Sequence, residues 1–242
     1  MMGRSCFSYS LATLLVVCFI TGALSVNSAF AQFKPGAGVN FIVGVPVAEF
    51  AENIDNVGFG IGFNGGVGLA PAPVMVGVDL GYLLYGYEET TQPFSNDEPD
   101  FTILLETTNS IAFGHIFFRV QPQRGWFQPY AEALFGLKYL FTTVTVKDEY
   151  SDERIDGSDN FDDWTASYGV GAGLDVKVFE AQREGRRPYQ LHLNAGARYL
   201  LGGSASYLDR GATSRVDGDL VFDVSRSRTD LIMPQLGVSF AF

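Results

Sequence analysis

The chain of 242 residues is acidic, with a formal net charge of −11, and it is rich in glycine and in aromatic residues. Both cysteines, Cys6 and Cys18, lie within the first 31 residues, so the rest of the chain forms neither a disulfide nor a cysteine-based metal site. After the N-terminal segment no stretch approaches the run of about 18 apolar residues that marks a transmembrane helix, which excludes such helices there.

The first 31 residues have the features of a secretory signal peptide. The apolar run of residues 11–24 is shorter than the roughly 20 residues that span a bilayer. Ala29-Phe30-Ala31 then matches an A-x-A cleavage site. We therefore expect residues 1–31 to be removed, with cleavage after Ala31, and residues 32–242 to form one exported domain. A membrane anchor fits less well because the run is short, and a lipoprotein signal fits less well because Cys18 follows two valines.

From Phe33 onward, apolar residues recur at every second position, which is the period of a β-strand. The longest example is 164–178, where bulky apolar residues alternate with glycine and polar residues. In the fourth segment we assign Ile111, Phe113 and Phe117 to the apolar outer face and Glu106 to the inner face. The predicted strands, in chain order, occupy 35–45, 57–69, 74–84, 106–117, 130–141, 164–178, 191–201 and 232–242.

Eight such segments form an even number, as a closed antiparallel bacterial barrel requires. One face of the segments is mostly glycine with sparse charges, which suits the crowded lumen of a narrow barrel. The other face is bulky and apolar, which suits contact with lipid. The predicted fold is therefore all-β, a closed antiparallel eight-stranded transmembrane β-barrel. A soluble, lipocalin-like barrel is the alternative.

The connections between the predicted strands alternate between long and short. In outer-membrane barrels the long loops are external and the short turns are periplasmic. The long connections carry most of the acidic residues, with clusters in 88–100 and 147–163, which serve either solvation and mutual repulsion or loose binding of divalent cations. Aromatic residues near both ends of the strands predict two interfacial girdles. The long connections are 46–56, 88–100, 147–163 and 209–228, and the short ones are 70–73, 121–126 and 181–188.

Several charged residues fall on the inner face of the predicted strands. A buried ion is costly unless it is paired, so these residues form either a salt-bridge network that plugs the barrel or a narrow ion path. Eight strands leave room for little more than side chains, which favours the plug. We predict that Glu132 pairs with Lys177, with Asp175 and His192 nearby. The predicted lumenal charges are Asp79, Glu106, Glu132, Lys138, Asp175, Lys177 and Arg198.

The sequence contains no clear catalytic motif. Residues 60–65 match G-x-G-x-x-G, but no helix follows, so a dinucleotide site is not expected. A barrel enzyme that acts on lipid would need a histidine paired with a serine and a carboxylate at one rim. We assign His115 to the lipid-facing side and His192 to the turn end of its strand. No enzymatic activity, cofactor or metal site is therefore expected.

The segment 33–242 resembles the small outer-membrane β-barrel family, the OmpA-like and OmpX-like proteins. Its most specific element is the ending, residues 236–242, in which apolar residues alternate up to a terminal phenylalanine. Phe240 and Phe242 look like the signal that the barrel assembly machinery recognises. OmpA-type proteins often carry a further peptidoglycan-binding domain, but this sequence ends at the last predicted strand, so that function is not expected.

The resemblance implies a location in the outer membrane, with outer-membrane lipids, lipopolysaccharide and the assembly machinery as partners. A monomer is expected, with no nucleic-acid partner. The expected role is structural, in envelope integrity, or a surface interaction through the acidic external loops. A narrow pore for ions or small solutes is the first alternative, and a lipid-modifying enzyme is the second.

Overall fold

The computed structural model describes residues 33–54, 56–93, 102–122, 124–148, 154–181, 188–216 and 219–242. The predicted signal peptide lies outside these residues. No helix in the described part is long and apolar enough to cross a membrane. The elements in chain order are β1 (Phe33–Pro46), α1 (Glu49–Asn53), β2 (Gly58–Leu69), β3 (Val74–Pro93), β4 (Thr102–Val120), β5 (Phe127–Asp148), β6 (Arg154–Ala181), β7 (Tyr189–Gly202), β8 (Ser204–Val216), β9 (Asp219–Arg228) and β10 (Leu231–Ala241).

Eight of these strands close into a barrel with the order β1-β10-β7-β6-β5-β4-β3-β2, which confirms the predicted fold. The strands pair in antiparallel fashion, and β1 pairs with β10 so that Val39 lies opposite Val238. The alternation in sequence becomes an alternation of faces. Along β6, for example, Trp164 and Val170 are exposed on the outside, whereas Thr165 and Ser167 are buried in the lumen.

The loop end of the barrel, reached by the long connections, contains more regular structure than predicted. Strands β3 and β4 remain paired up to Pro93 and Thr102, well into the predicted loop 88–100. Strands β5 and β6 remain paired up to Lys147 and Arg154. Strands β8 and β9 form a separate two-stranded sheet in the region predicted as the loop 209–228. Continued pairing satisfies backbone donors and acceptors that an irregular loop would leave to water.

The predicted facing of β4 is wrong. Ile111, Phe113 and Phe117 are buried in the lumen, with exposed fractions of 0%, 5% and 0%. Ile116 and Phe118, on the opposite parity, are exposed on the outside. Both faces of this strand carry large apolar residues, so alternation alone does not show which face points to lipid.

Two glycines of β3 explain how the phenylalanines of β4 fit inside. A Cβ atom on Gly81 would lie 2.2 Å from Cζ of Phe113, and one on Gly77 would lie 2.6 Å from Cζ of Phe117. Both distances are far below van der Waals contact, so any side chain at these glycines would collide with the rings. The glycine-rich inner face of β3 therefore provides the space that the two rings occupy.

Gly81→Ala is expected to destabilise the barrel by about 1–3 kcal/mol, because the added methyl group overpacks the lumen against Phe113. The matched control is Gly62→Ala on β2, directly opposite Gly81, where the nearest atom to an added Cβ is Cγ2 of Ile42 at 3.7 Å. Urea unfolding in lipid vesicles measures both, and the control should change little. Phe113→Leu should relieve part of the Gly81→Ala loss. Equal effects of the two alanines would contradict the inward placement of Phe113.

Apolar packing closes the loop end of the lumen. Phe50 of α1 is completely buried, and its ring lies 5.8 Å from that of Tyr85 and 5.2 Å from that of Tyr207. Nδ2 of Asn53 donates a hydrogen bond of 2.9 Å to the Tyr207 hydroxyl oxygen, which holds α1 against the base of β8. The buried apolar cluster to which Phe50 belongs also includes Ile42, Leu83, Ile111, Leu140, Leu200, Leu231 and Met233.

Candidate functional site: a buried charge network in the lumen

A carboxylate clamped by two arginines lies at the centre of the lumenal charges. Glu132 of β5 accepts hydrogen bonds from Nε and Nη2 of Arg119 at 2.9 and 2.7 Å, both through Oε2. Its Oε1 accepts a bond of 2.8 Å from Nε of Arg198. All three side chains are buried. Both oxygens of the carboxylate are therefore paired, as a buried ion requires.

Strand register and one glycine create this arrangement. Arg119 lies directly opposite Glu132 on the neighbouring strand β4. Arg198 lies two strands away on β7, and Gly171 of β6 stands between it and Glu132. A Cβ at Gly171 would lie 3.0 Å from both Cγ of Arg198 and Oε1 of Glu132. The absence of a side chain at this position lets the two charged groups meet across β6.

Arg198 extends the network to a second carboxylate. Its Nη1 donates a hydrogen bond of 3.0 Å to Oδ2 of Asp79 on β3. Nδ1 of His115 lies 3.8 Å from the same oxygen, and Nε2 of His115 is 2.9 Å from the hydroxyl oxygen of Ser167. We call Asp79, His115, Arg119, Glu132 and Arg198 the lumenal network.

Aromatic and amide side chains surround the network on its turn-end side. The guanidinium carbon of Arg119 lies 4.0 Å from the ring centre of Tyr130 and 5.2 Å from that of Phe117, within the range of cation–π attraction. Asp175 accepts hydrogen bonds from Nε2 of Gln121 at 2.6 Å and from Nδ2 of Asn194 at 2.7 Å. These contacts hold the arginine and fill the lumen on that side.

Comparison with known proteins yields similarity at the level of solved structures. No family model matches the chain, and no curated protein matches it. The chain is similar to Neisserial surface protein A (13% identity, TM-score 0.34, covering 86% of this chain and 95% of that one). It is also similar to Ail of Yersinia pestis, solved in complex with the heparin analogue sucrose octasulfate. Here the identity is 13% and the TM-score 0.34, covering 87% of this chain and 98% of that one. A third similar structure is a major outer membrane protein from Thermus thermophilus, with 11% identity and a TM-score of 0.30, covering 85% of this chain and 99% of that one.

The structure brings some of the predicted lumenal charges together and separates others. Asp79, Glu132 and Arg198 meet in the lumenal network, and Oδ2 of Asp175 lies 3.9 Å from Nη1 of Arg119. Lys138 is buried elsewhere, where its Nζ donates a hydrogen bond of 2.6 Å to the carbonyl oxygen of Thr229.

Two of the predicted placements are wrong. Lys177 does not pair with Glu132 but with Glu180, three residues further along the chain near the turn end. The bulge between Lys177 and Phe179 changes the pairing of β6 with β7 here, and Glu132 is already saturated by two arginines. Glu106 shares the outward parity of β4 with Ile116, because the facing of that strand is the reverse of the predicted one.

The same reversal places Arg119 and His115 inside the barrel. The predicted lipid-facing position of His115 is therefore wrong, and Arg119 is a lumenal charge that was not among those predicted. Both lie on the inner parity of β4, and both are buried. Arg119 is itself a signal of the facing, since a charged residue suits the polar lumen of such a barrel better than its apolar outer surface. If Arg119 is assigned to the lumen, the residues at every second position from it also face the lumen, which is the observed facing of β4.

Ser167, His115 and Asp79 have the composition of a hydrolytic triad but not its geometry. The distance of 3.8 Å between His115 and Asp79 exceeds a hydrogen bond, and Ser167 is 1% exposed inside the lumen. A lipid could not reach this hydroxyl group without opening the barrel. Within the described residues, no group of three or more histidine, cysteine, aspartate or glutamate side chains is placed to hold a metal ion. The arrangement therefore favours packing over chemistry.

Proposed function

We propose that this protein is an integral outer-membrane barrel with a packed, non-conducting lumen and a structural role in the envelope. One observation carries the proposal: the outside of the barrel is apolar, while the charges lie inside. Soluble proteins rarely expose apolar patches above a few hundred Å². Each barrel strand instead exposes large apolar side chains, for example Phe41, Phe63, Leu80, Ile116, Phe135, Val170, Leu193 and Leu236.

Aromatic residues at both ends of the apolar surface support a membrane setting. Toward the loop end, the ring of Tyr139 lies 4.6 Å from that of Trp164 and 5.2 Å from that of Phe141. Toward the turn end, the rings of Phe179 and Tyr189 are 6.0 Å apart. Such rings favour the headgroup regions of a bilayer, so the two groups suit the two interfaces.

The C-terminal strand supports delivery by the barrel assembly machinery. Phe240 and Phe242 are exposed on the outside of the barrel, where an assembly factor would contact them. Export through a signal peptide of residues 1–31 completes the proposed route. Lipopolysaccharide and phospholipid would then surround the apolar surface.

Cell fractionation and gel migration test the location. The mature protein should start at Gln32, appear with the outer membrane, and migrate differently before and after boiling, because a closed barrel resists detergent until heated. Recovery from the soluble periplasmic fraction would refute the proposal.

A packed lumen predicts that the purified barrel does not conduct ions. Charged side chains across the lumen are engaged in close pairs, and α1 with its buried Phe50 lies across the loop end. Planar-bilayer recordings of refolded protein should therefore show no stable conductance steps. Steps whose ion selectivity changes in the Glu132→Gln variant would instead establish the narrow pore.

A surface interaction is a second candidate, favoured by a sheet that projects from the loop end. Pairing of β3 with β2 ends at Leu84, whereas β3 remains paired with β4 up to Pro93. Among the described residues, no strand pairs with the other edge of β3 beyond Leu84. An exposed edge can accept an extended peptide as an additional strand. The acidic segments 94–101 and 149–153 lie outside the described residues.

The charges on this projecting sheet indicate the kind of partner. Glu89 and Glu106 lie directly opposite each other on β3 and β4, and like charges in such positions repel. A lysine-rich extended peptide would place opposite charge beside these two carboxylates. Titration of the barrel in nanodiscs with such a peptide should show salt-sensitive binding that Glu89→Lys weakens and that the turn-end control Glu180→Lys does not. Equal weakening by both variants would point to non-specific charge attraction.

A further inference from the structure

Three touching residues of the lumenal network each carry a buried polar atom without a partner. These atoms are Oδ1 of Asp79, Nδ1 of His115 and Nη2 of Arg198, and none has a hydrogen-bond partner among the described residues. The three residues are between 0% and 3% exposed. Buried polar atoms are nearly always hydrogen-bonded, either to protein or to an ordered water molecule, so three in one place require an explanation.

The direct contacts among these residues leave a gap. Nη1 of Arg198 donates to Oδ2 of Asp79 at 3.0 Å, which leaves Oδ1 of the same carboxylate unused. Nδ1 of His115 approaches that carboxylate only to 3.8 Å, too far for a direct hydrogen bond. The other ring nitrogen of His115 is held at 2.9 Å from Ser167, so the imidazole cannot move closer without losing that contact.

We propose that one water molecule is bound here as a fixed part of the structure, bridging Asp79, His115 and Arg198. Water is the ligand class that fits the donors and acceptors present. It accepts a hydrogen bond from Nη2 of Arg198, donates one to Oδ1 of Asp79, and bonds Nδ1 of His115 as either donor or acceptor. A cation would be repelled by the guanidinium group, and an anion by the carboxylate.

The water molecule makes the lumenal network continuous. It joins His115, and through it Ser167 of β6, to the Asp79–Arg198 pair, and Arg198 leads on to Glu132 and Arg119. Side chains from β3, β4, β5, β6 and β7 then belong to one hydrogen-bonded unit. The three residues are almost fully buried, which suits an enclosed water molecule.

A high-resolution crystal structure of the wild-type barrel tests the site directly. Density for a water oxygen is expected within about 2.6–3.2 Å of both Oδ1 of Asp79 and Nη2 of Arg198. In solution, arginine labelled with ¹⁵N should show cross-peaks between the Arg198 side-chain N–H groups and long-lived water. Absence of the water density in the crystal together with missing cross-peaks would overturn the proposal. Both measurements use the wild-type barrel, so neither depends on the folding of a variant.

Two variants sharpen the test. Asp79→Leu removes the acceptor and should abolish the water signal at Arg198. The matched control is Thr142→Val, which removes a buried lumenal hydroxyl group that bonds Asn109 rather than the network, and it should retain the signal. Persistence of the same signal in a folded Asp79→Leu barrel would show that the water is not held by this carboxylate and would refute the assigned site.

Discussion

Replacing Glu132 by glutamine is expected to destabilise the folded barrel by about 3–5 kcal/mol, because it leaves two buried guanidinium groups without their shared counter-ion. Arg119 and Arg198 both donate to this carboxylate, and all three side chains are buried. Urea unfolding in lipid vesicles measures the loss. The control is Glu180→Gln, whose ion pair with Lys177 lies at the exposed turn end and should contribute little.

A double-mutant cycle measures the interaction between Glu132 and Arg198 apart from their contacts with other residues. Arg198→Met alone should also be costly, because it leaves Glu132 and Asp79 short of a positive charge. The double variant Glu132→Gln with Arg198→Met should recover part of the summed losses, which gives a non-zero coupling energy. Small, additive losses of unfolding free energy would mean that water screens these charges. The proposal of a packed lumen would then be wrong.

Val170→Arg is expected to cost about 2–4 kcal/mol in vesicles, because it places a charge near the middle of the lipid-facing surface. Val170 is 61% exposed on the outside of β6 and lies between Ala133 and Tyr199 on the neighbouring strands. Leu80 and Leu137 occupy comparable outward positions on β3 and β5, and arginine there should have a similar effect.

Val178→Arg is the matched control on the same strand. Val178 is also exposed on the outside, but it lies near the turn end, where an arginine reaches the headgroups and costs about 0–1 kcal/mol. The difference between the two valines is the informative quantity. If both variants unfold at the same urea concentration as the wild type in vesicles, the apolar surface does not face lipid.

Alternation in the sequence was sufficient to predict the barrel itself. In β6 the apolar parity from Trp164 to Val178 matches the outward face, and the glycine and polar residues between them face the lumen. Strand number, closure and the facing of β1, β2, β3, β5, β6, β7 and β10 followed from the same period. The facing is a local property, since it depends on residues one or two positions apart, whereas closure also needs β1 to pair with β10 at the other end of the chain.

Partner choice within the lumen was decided only by the tertiary structure. Glu132 meets Arg198 across β6 because the stagger of the strands brings both beside Gly171. The sequence contains no measure of that stagger, so counting residues from a loop selected Lys177 instead. Which cation meets which carboxylate depends on the register of strands that are far apart in sequence.

The facing of β4 and the structure at the loop end also required three dimensions. Both parities of β4 are apolar, and the inward one is selected by the space that Gly77 and Gly81 leave on β3. Helix α1 and the β8–β9 sheet form largely in segments predicted as loops, where contacts such as that of Phe50 with Tyr207 supply the stability. A period specifies a face only when one parity is polar, and otherwise the neighbouring strands decide.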